Sequence, residues 1–126
     1  MSKRVETRTG VSWVDEELGL LRFEYAQGTE CTLEDARENV EAQVDLCEGE
    51  TLPILVDVAG VKAIDQAARS YYGESKAFPA LALVGEAPIG RIIGNIFLAI
   101  YGSRDTPTRF FKSEDEAVAW LRGFLP

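Results

Sequence analysis

Side chains that could support acid–base or nucleophilic chemistry are scarce in this chain. Histidine is absent from its 126 residues, so a serine or cysteine nucleophile would have no imidazole base. Asp57 is the one carboxylate inside a strongly apolar stretch, where burial could shift its pKa toward a catalytic role. An aspartate at a strand end more often accepts hydrogen bonds from nearby backbone groups. We therefore predict no catalytic residue and no enzymatic activity.

Metal and cofactor sites are also poorly supported. Cys31 and Cys47 are the only cysteines, and a helix between them would hold them about 24 Å apart, beyond the reach of a disulfide. We expect two reduced thiols, with Cys31 in a loop and Cys47 on an apolar helix face. Gly85–Gly90 follows a predicted strand, as a phosphate-binding loop does, but it continues with Arg91 and Ile92 instead of Lys and Ser or Thr. No metal and no cofactor is predicted.

Charge and hydropathy restrict the partners and the location. The formal net charge is -8 and basic residues are not clustered, which argues against nucleic acid and anionic membranes as partners. The first residues lack the apolar segment of a signal peptide. The most apolar stretch, Pro88–Tyr101, is too short to span a bilayer and contains Arg91 and Asn95. We expect a cytoplasmic protein whose residues 1–126 form one domain.

The distribution of apolar residues predicts an α/β fold. Val5–Val14 and Leu20–Tyr25 read as strands of an antiparallel hairpin, joined by an acidic turn that ends in Gly19. Pro53–Val58 and Ala80–Val84 are continuous apolar runs, typical of parallel strands buried on both faces. The predicted order is an N-terminal hairpin followed by α-β-α-β-α-β-α, which forms a mixed sheet of about five strands.

Each predicted helix has a recognisable start and an apolar stripe. The predicted first residues or caps are Thr32, Asp65, Pro88 and Ser113. The buried positions expected from helical spacing are Ala36, Val40, Val44 and Cys47 in the first helix, Ala68, Tyr71 and Tyr72 in the second, and Ala117, Trp120, Leu121 and Phe124 in the last.

The helix predicted over Pro88–Tyr101 is more apolar than contact with one sheet face requires. Its expected core stripe is Ile89, Ile92, Ile93, Ile96 and Ile100, and Phe97, Leu98 and Tyr101 continue the apolar arc around the helix. Gly90 and Gly94 would permit close approach by another helix or a ligand. Three alternatives remain open: cover by neighbouring helices, a homodimer interface, and a groove for an apolar ligand.

Three segments resemble the small bacterial domains called SpoIIAA-like or STAS-like (STAS/SEC14-like). They are Ile54–Asp65, Pro88–Asn95 and Phe110–Leu121. In the anti-sigma-factor antagonists of this fold, an aspartate opens a helix and the second residue after it is a hydroxyl residue, phosphorylated by a partner kinase. Asp65 matches that aspartate, but Ala67 stands at the phosphoacceptor position. The resemblance therefore implies the fold without the phosphorylation switch, and Ser70 reads as a helix-surface serine.

We therefore expect a non-enzymatic binding or regulatory module. It would recognise an unidentified protein partner, or a second copy of itself, through its apolar helix and the loop Ala59–Asp65. The alternative is a carrier or sensor of a lipid-like apolar small molecule. The candidate surface consists of Asp65, Tyr71, Tyr72, Gly90, Gly94, Phe97, Leu98 and Tyr101.

Overall fold

The computed structural model describes residues 3–75, 77–85, 92, 95–96, 99 and 106–125. Its strands are β1 (Arg4–Thr7), β2 (Gly10–Asp15), β3 (Leu20–Tyr25), β4 (Thr29–Cys31), β5 (Ile54–Asp57), β6 (Val61–Ile64), β7 (Leu81–Val84) and β8 (Thr108–Phe111). Its helices are α1 (Leu33–Leu46), α2 (Gln66–Glu74) and α3 (Glu114–Leu121), and a 3₁₀ turn covers Arg122–Phe124.

The strands form a mixed sheet with the order β1-β2-β3-β5-β7-β8. β1, β2 and β3 are antiparallel neighbours, whereas β3, β5, β7 and β8 run parallel. The predicted fold class is confirmed. The sheet has six strands rather than about five because Arg8 and Thr9 turn the chain between Thr7 and Gly10, which makes the hairpin a three-stranded meander. β4 and β6 pair separately as two short parallel strands.

One face of the sheet, called here the first face, is covered by α1 and α2. Thr32 caps α1 as expected, because its hydroxyl accepts from the Asp35 backbone N–H and the Asp35 carboxylate accepts from the Thr32 backbone N–H. The predicted burial of Val44 is wrong, since its side chain is 47% exposed. Residues spaced four apart do not stay on exactly one side of a helix, so repeated steps of four lead away from the sheet. The residues of α1 that face the sheet are spaced both three and four apart. Those positions include Asn39, Gln43 and Leu46.

The opposite, second face is covered by α3 and the 3₁₀ turn. Ser113 caps α3 by accepting a hydrogen bond from the Glu116 backbone N–H. Ala117 and Leu121 are buried, and Trp120 and Phe124 pack against the same apolar cluster while half-buried. The predicted stripe of the last helix is confirmed.

Four described residues belong to the helix predicted over Pro88–Tyr101. Ile92, Asn95, Ile96 and Ala99 are all helical. Ile96 packs against the core of the first face, as predicted. The predicted core position of Ile92 is wrong, because that side chain is 60% exposed. The other residues singled out in this helix lie outside the described residues: Pro88, Ile89, Gly90, Arg91, Ile93, Gly94, Phe97, Leu98, Ile100 and Tyr101.

Candidate functional site

The segment between β5 and α2 starts at the carboxyl end of β5, one of the parallel strands. Asp57 ends β5, and its Oδ1 accepts a hydrogen bond of 2.9 Å from the Ala59 backbone N–H. This is the turn-forming role expected of an aspartate at a strand end. Ala59 is exposed, whereas Gly60 is buried. Asp57 thus fixes the path by which the chain leaves the sheet.

Gly60 allows this segment to approach the end of β3 closely. A Cβ atom at Gly60 would lie 2.6 Å from the carbonyl oxygen of Ala26, a distance that excludes any larger residue. The Gly60 carbonyl accepts from the backbone N–H groups of Gly28 and Thr29 at 2.8 and 3.0 Å. The prediction of a loop over Ala59–Asp65 is wrong for most of its length, because Val61–Ile64 form β6 and pair with β4. The Gly60 hydrogen bonds hold the start of this segment in place.

Asp65 lies where the sequence predicts, at the N-terminus of α2. Its Oδ1 accepts a hydrogen bond of 2.8 Å from the Ala68 backbone N–H. Asp65, Ala67 and Ser70 are all exposed. The position that carries the phosphoacceptor in the resembling antagonists is therefore accessible here, but its side chain is a methyl group.

The two tyrosines of the candidate surface differ in burial. Tyr72 is buried, and its hydroxyl lies 2.9 Å from that of Tyr25 and accepts from Asn39 Nδ2 at 3.3 Å. Burial raises the pKa of the Tyr72 hydroxyl above its usual value. Tyr71 is half-buried and packs at the margin of the same core. Of the pair, only Tyr71 reaches the surface to a substantial extent.

A buried polar network beneath α1 was not found from the sequence. Asn39 Oδ1 accepts from the Thr7 and Thr9 hydroxyls at 2.6 and 3.2 Å. One turn further along α1, Gln43 Nε2 donates to the Ser12 hydroxyl at 3.3 Å. The available signal was that Asn39 and Gln43 lie four residues apart on the helix side that also carries Ala36. These hydrogen bonds hold α1 on the sheet. Because the side chains of Asn39 and Gln43 are buried and already bonded, we assign them a structural role.

Both cysteines are free and buried. Burial raises the pKa of the Cys31 thiol to about 11, and it also raises the pKa of Cys47. Both thiols are therefore protonated at neutral pH and are poor nucleophiles. The expectation that Cys31 lies in a loop is wrong, since it is the last residue of β4.

A polar cleft lies at the carboxyl ends of β5, β7 and β8. Its volume is about 610 Å³, and its lining includes Asp57, Ala59, Val84, Gly85, Lys112, Ser113, Glu114 and Asp115. Ligands of open α/β sheets commonly bind at this edge. No group of three or more Cys, Asp or Glu side chains within the described residues could hold a metal ion.

Trp13 lies between two arginines on the part of the second face next to β1. The guanidinium carbons of Arg4 and Arg22 are 4.8 and 5.6 Å from the centre of a Trp13 ring. Arg22 also donates to Asp15 at 3.2 Å and forms an ion pair with Glu114. These cation–π contacts hold the indole side chain against the sheet.

Comparisons with known proteins place the chain in a family. A crystal structure of a protein from the DUF3478 family, with a SpoIIAA-like fold and from Shewanella loihica PV-4, matches with a TM-score of 0.59. The alignment covers 96% of this chain and 92% of that one at 14% identity, so the two share the SpoIIAA-like fold.

A protein with unknown function from Arthrobacter sp. FB24 is 32% identical over 93% of this chain and 95% of its own, with a TM-score of 0.38. No curated protein matches the chain. Among the described residues, no helix is long and apolar enough to cross a membrane. Residues 13–125 match the family model described as "Domain of unknown function (DUF7793)", and the chain belongs to that family.

Proposed function

We propose that this chain is a non-catalytic binding or regulatory module that recognises a protein partner through the helix containing Ile92. The observation that carries the proposal is the 60% exposure of the Ile92 side chain. Ile96, one turn later, packs on the core, so the helix is anchored while Ile92 faces outward. Asn95 and Ala99 are exposed beside it.

The sequence extends this surface beyond Ile92. Ala99 lies seven residues after Ile92 and therefore returns to the same side of the helix. Phe97, Leu98 and Tyr101 are further apolar residues of the predicted helix, but at about 100° per residue they fall roughly 120–180° away from Ile92. The proposed surface therefore rests on Ile92 and its exposed neighbours.

Three features support a function without catalysis. Histidine is absent, both thiols have raised pKa values, and Asp57 is engaged with the backbone of its own turn. Ala67 provides no hydroxyl group to phosphorylate. Recognition would therefore not depend on the phosphorylation switch of the antagonists that the chain resembles.

Within the part of the chain that the structure describes, the apolar cavity beside α2 is too small for a lipid-like molecule, which favours a protein partner. A cavity between α1, α2 and the sheet is lined by residues that include Tyr72 and Phe78, and its volume is about 20 Å³. Such a cavity has room for about one water molecule and is far too small for an acyl chain. Protein as isolated should therefore carry no lipid-sized mass in native mass spectrometry.

Ile92→Asp and Asn95→Asp form a matched pair that tests the proposal. Both add one negative charge to the same exposed helix side, but only the first removes an apolar contact. In affinity capture from the native host, a partner should be retained by wild type and Asn95→Asp and lost with Ile92→Asp. Equal capture by the two variants, or a co-purified lipid in place of a protein, would contradict it.

A further inference from the structure

Among the strands that the structure describes, β1 lies at the edge of the six-stranded sheet, and its outward hydrogen-bonding groups can be identified. Thr7 and Gly10 close a two-residue loop between β1 and β2, which makes them a hydrogen-bonded pair. Pairs alternate along an antiparallel ladder, so Val5–Ser12 is the next hydrogen-bonded pair. The backbone groups of Arg4 and Glu6 therefore point away from β2, toward the open edge.

This edge is complementary to itself. If a second β1 runs antiparallel around a two-fold axis at Val5, Arg4 of each copy lies opposite Glu6 of the other. These are the residues whose backbone groups face outward, so each Arg4–Glu6 pair would exchange two main-chain hydrogen bonds. The opposite side-chain charges would face each other at both pairs. From this register we propose that two copies of the chain pair through β1 to form one continuous sheet.

The surroundings of β1 are compatible with a second copy. Arg4 and Glu6 are exposed, and the Arg4 guanidinium already lies over Trp13. On the other side of the strand, three acidic groups in α1 or just after it are neutralised or hydrogen-bonded. Lys3 Nζ lies 3.3 Å from Glu48, Arg8 pairs with Asp35, and Glu38 accepts from the Arg8 backbone N–H at 3.0 Å. These contacts reduce repulsion between the two copies of α1.

Lone edge strands usually carry charges that prevent pairing with other chains. The order of the charges in β1 indicates whether they would prevent pairing with a second copy or favour it. Like charges at positions 4 and 6 would face each other in the register centred on Val5, whereas Arg4 and Glu6 attract. The occupant that best fits this pattern is therefore a second copy of this chain, independently of the helix surface around Ile92.

Charge reversal in the full chain tests the register. Wild type should show a concentration-dependent dimer in sedimentation equilibrium between 10 µM and 1 mM protein. Arg4→Glu and Glu6→Arg should each raise the dimer dissociation constant by about tenfold, because each variant creates two like-charge pairs. The double variant Arg4→Glu/Glu6→Arg should return to within about threefold of wild type, since both pairs are again opposite.

Arg109→Glu is the matched control. Arg109 is exposed on the edge strand β8 and lies over the rings of Phe111 and Trp120, as Arg4 lies over Trp13. This control, and Ile92→Asp, should leave the dimer unchanged. A monomer at 1 mM, a dimer that ignores both single reversals, or a double variant as weak as the single ones would overturn the proposal.

A cysteine scan gives a second readout that does not depend on the charged variants folding well. The two Val5 residues would form a non-hydrogen-bonded pair with Cα atoms about 4.5 Å apart, within disulfide range. Val5→Cys should therefore give a covalent dimer when diamide accepts the two thiol hydrogens. Thr7→Cys lies opposite Lys3 in this register and should remain monomeric. Equal cross-linking of both variants would contradict the register.

Discussion

The two faces of the sheet are built differently. The core of the first face, under α1 and α2, includes the buried polar side chains Thr9, Ser12, Asn39 and Gln43, which bond to each other or to neighbours. The core of the second face is a smaller cluster of apolar residues beneath α3. Packing alone can place α3, whereas α1 must also match donors and acceptors on the strands. The position of α1 is therefore the more strictly specified.

Leu20 and Leu21 offer the largest test of this difference. They are neighbours on β3, both with 0% exposure, and they belong to the second and first cores respectively. We expect Leu21→Ala to lower the free energy of unfolding by about 3–4 kcal/mol and Leu20→Ala by about 2–3 kcal/mol. The second core can relax more easily, because its margin is formed by the C-terminal turn. Urea unfolding measures both values, and a larger loss for Leu20→Ala would reverse the comparison.

Asn39→Ala tests the polar part of the first core. The change leaves the buried Thr9 hydroxyl and the half-buried Thr7 hydroxyl with fewer partners, at a cost of about 2–3 kcal/mol. Gln43→Ala is the control, since the described bond to Ser12 is single and long at 3.3 Å, and it should cost about 1–2 kcal/mol. Equal losses in urea unfolding would show that the number of hydrogen bonds does not decide the stability of this face.

Local signals predicted the elements of both faces well. The caps at Thr32, Asp65 and Ser113 are confirmed, because a cap depends on residues only three positions apart. The two apolar runs predicted as parallel strands also form strands, β5 and β7.

The side-chain environments were harder to predict. Val44 and Ile92 satisfy helical spacing, yet both are exposed, because spacing defines an apolar side without showing what covers it. The burial of Asn39 depends on Thr7 and Thr9, about thirty residues earlier in the chain. No local pattern in α1 shows those partners. Of the residues assigned to the candidate surface, Asp65 lies exposed at the start of α2, whereas Tyr72 is a core residue.

At the rim of the first face, the Arg8–Asp35 pair should make stability depend on pH. The Arg8 guanidinium holds the pKa of the buried Asp35 carboxyl at about 2, against a usual value of 3.8. Above about pH 5 the carboxylate is ionised in both the folded and unfolded states, and its full stabilisation is present. As the pH falls toward 2, the unfolded chain binds a proton first, so about 1–2 kcal/mol should be lost.

Asp35→Asn should therefore show a shallower fall in unfolding free energy between pH 5 and 2 than wild type, measured by urea titration. Glu34→Gln, an exposed change in the same helical turn, should keep the wild-type slope, and an equal flattening in both variants would assign the effect to the charge of the helix terminus instead of to the ion pair.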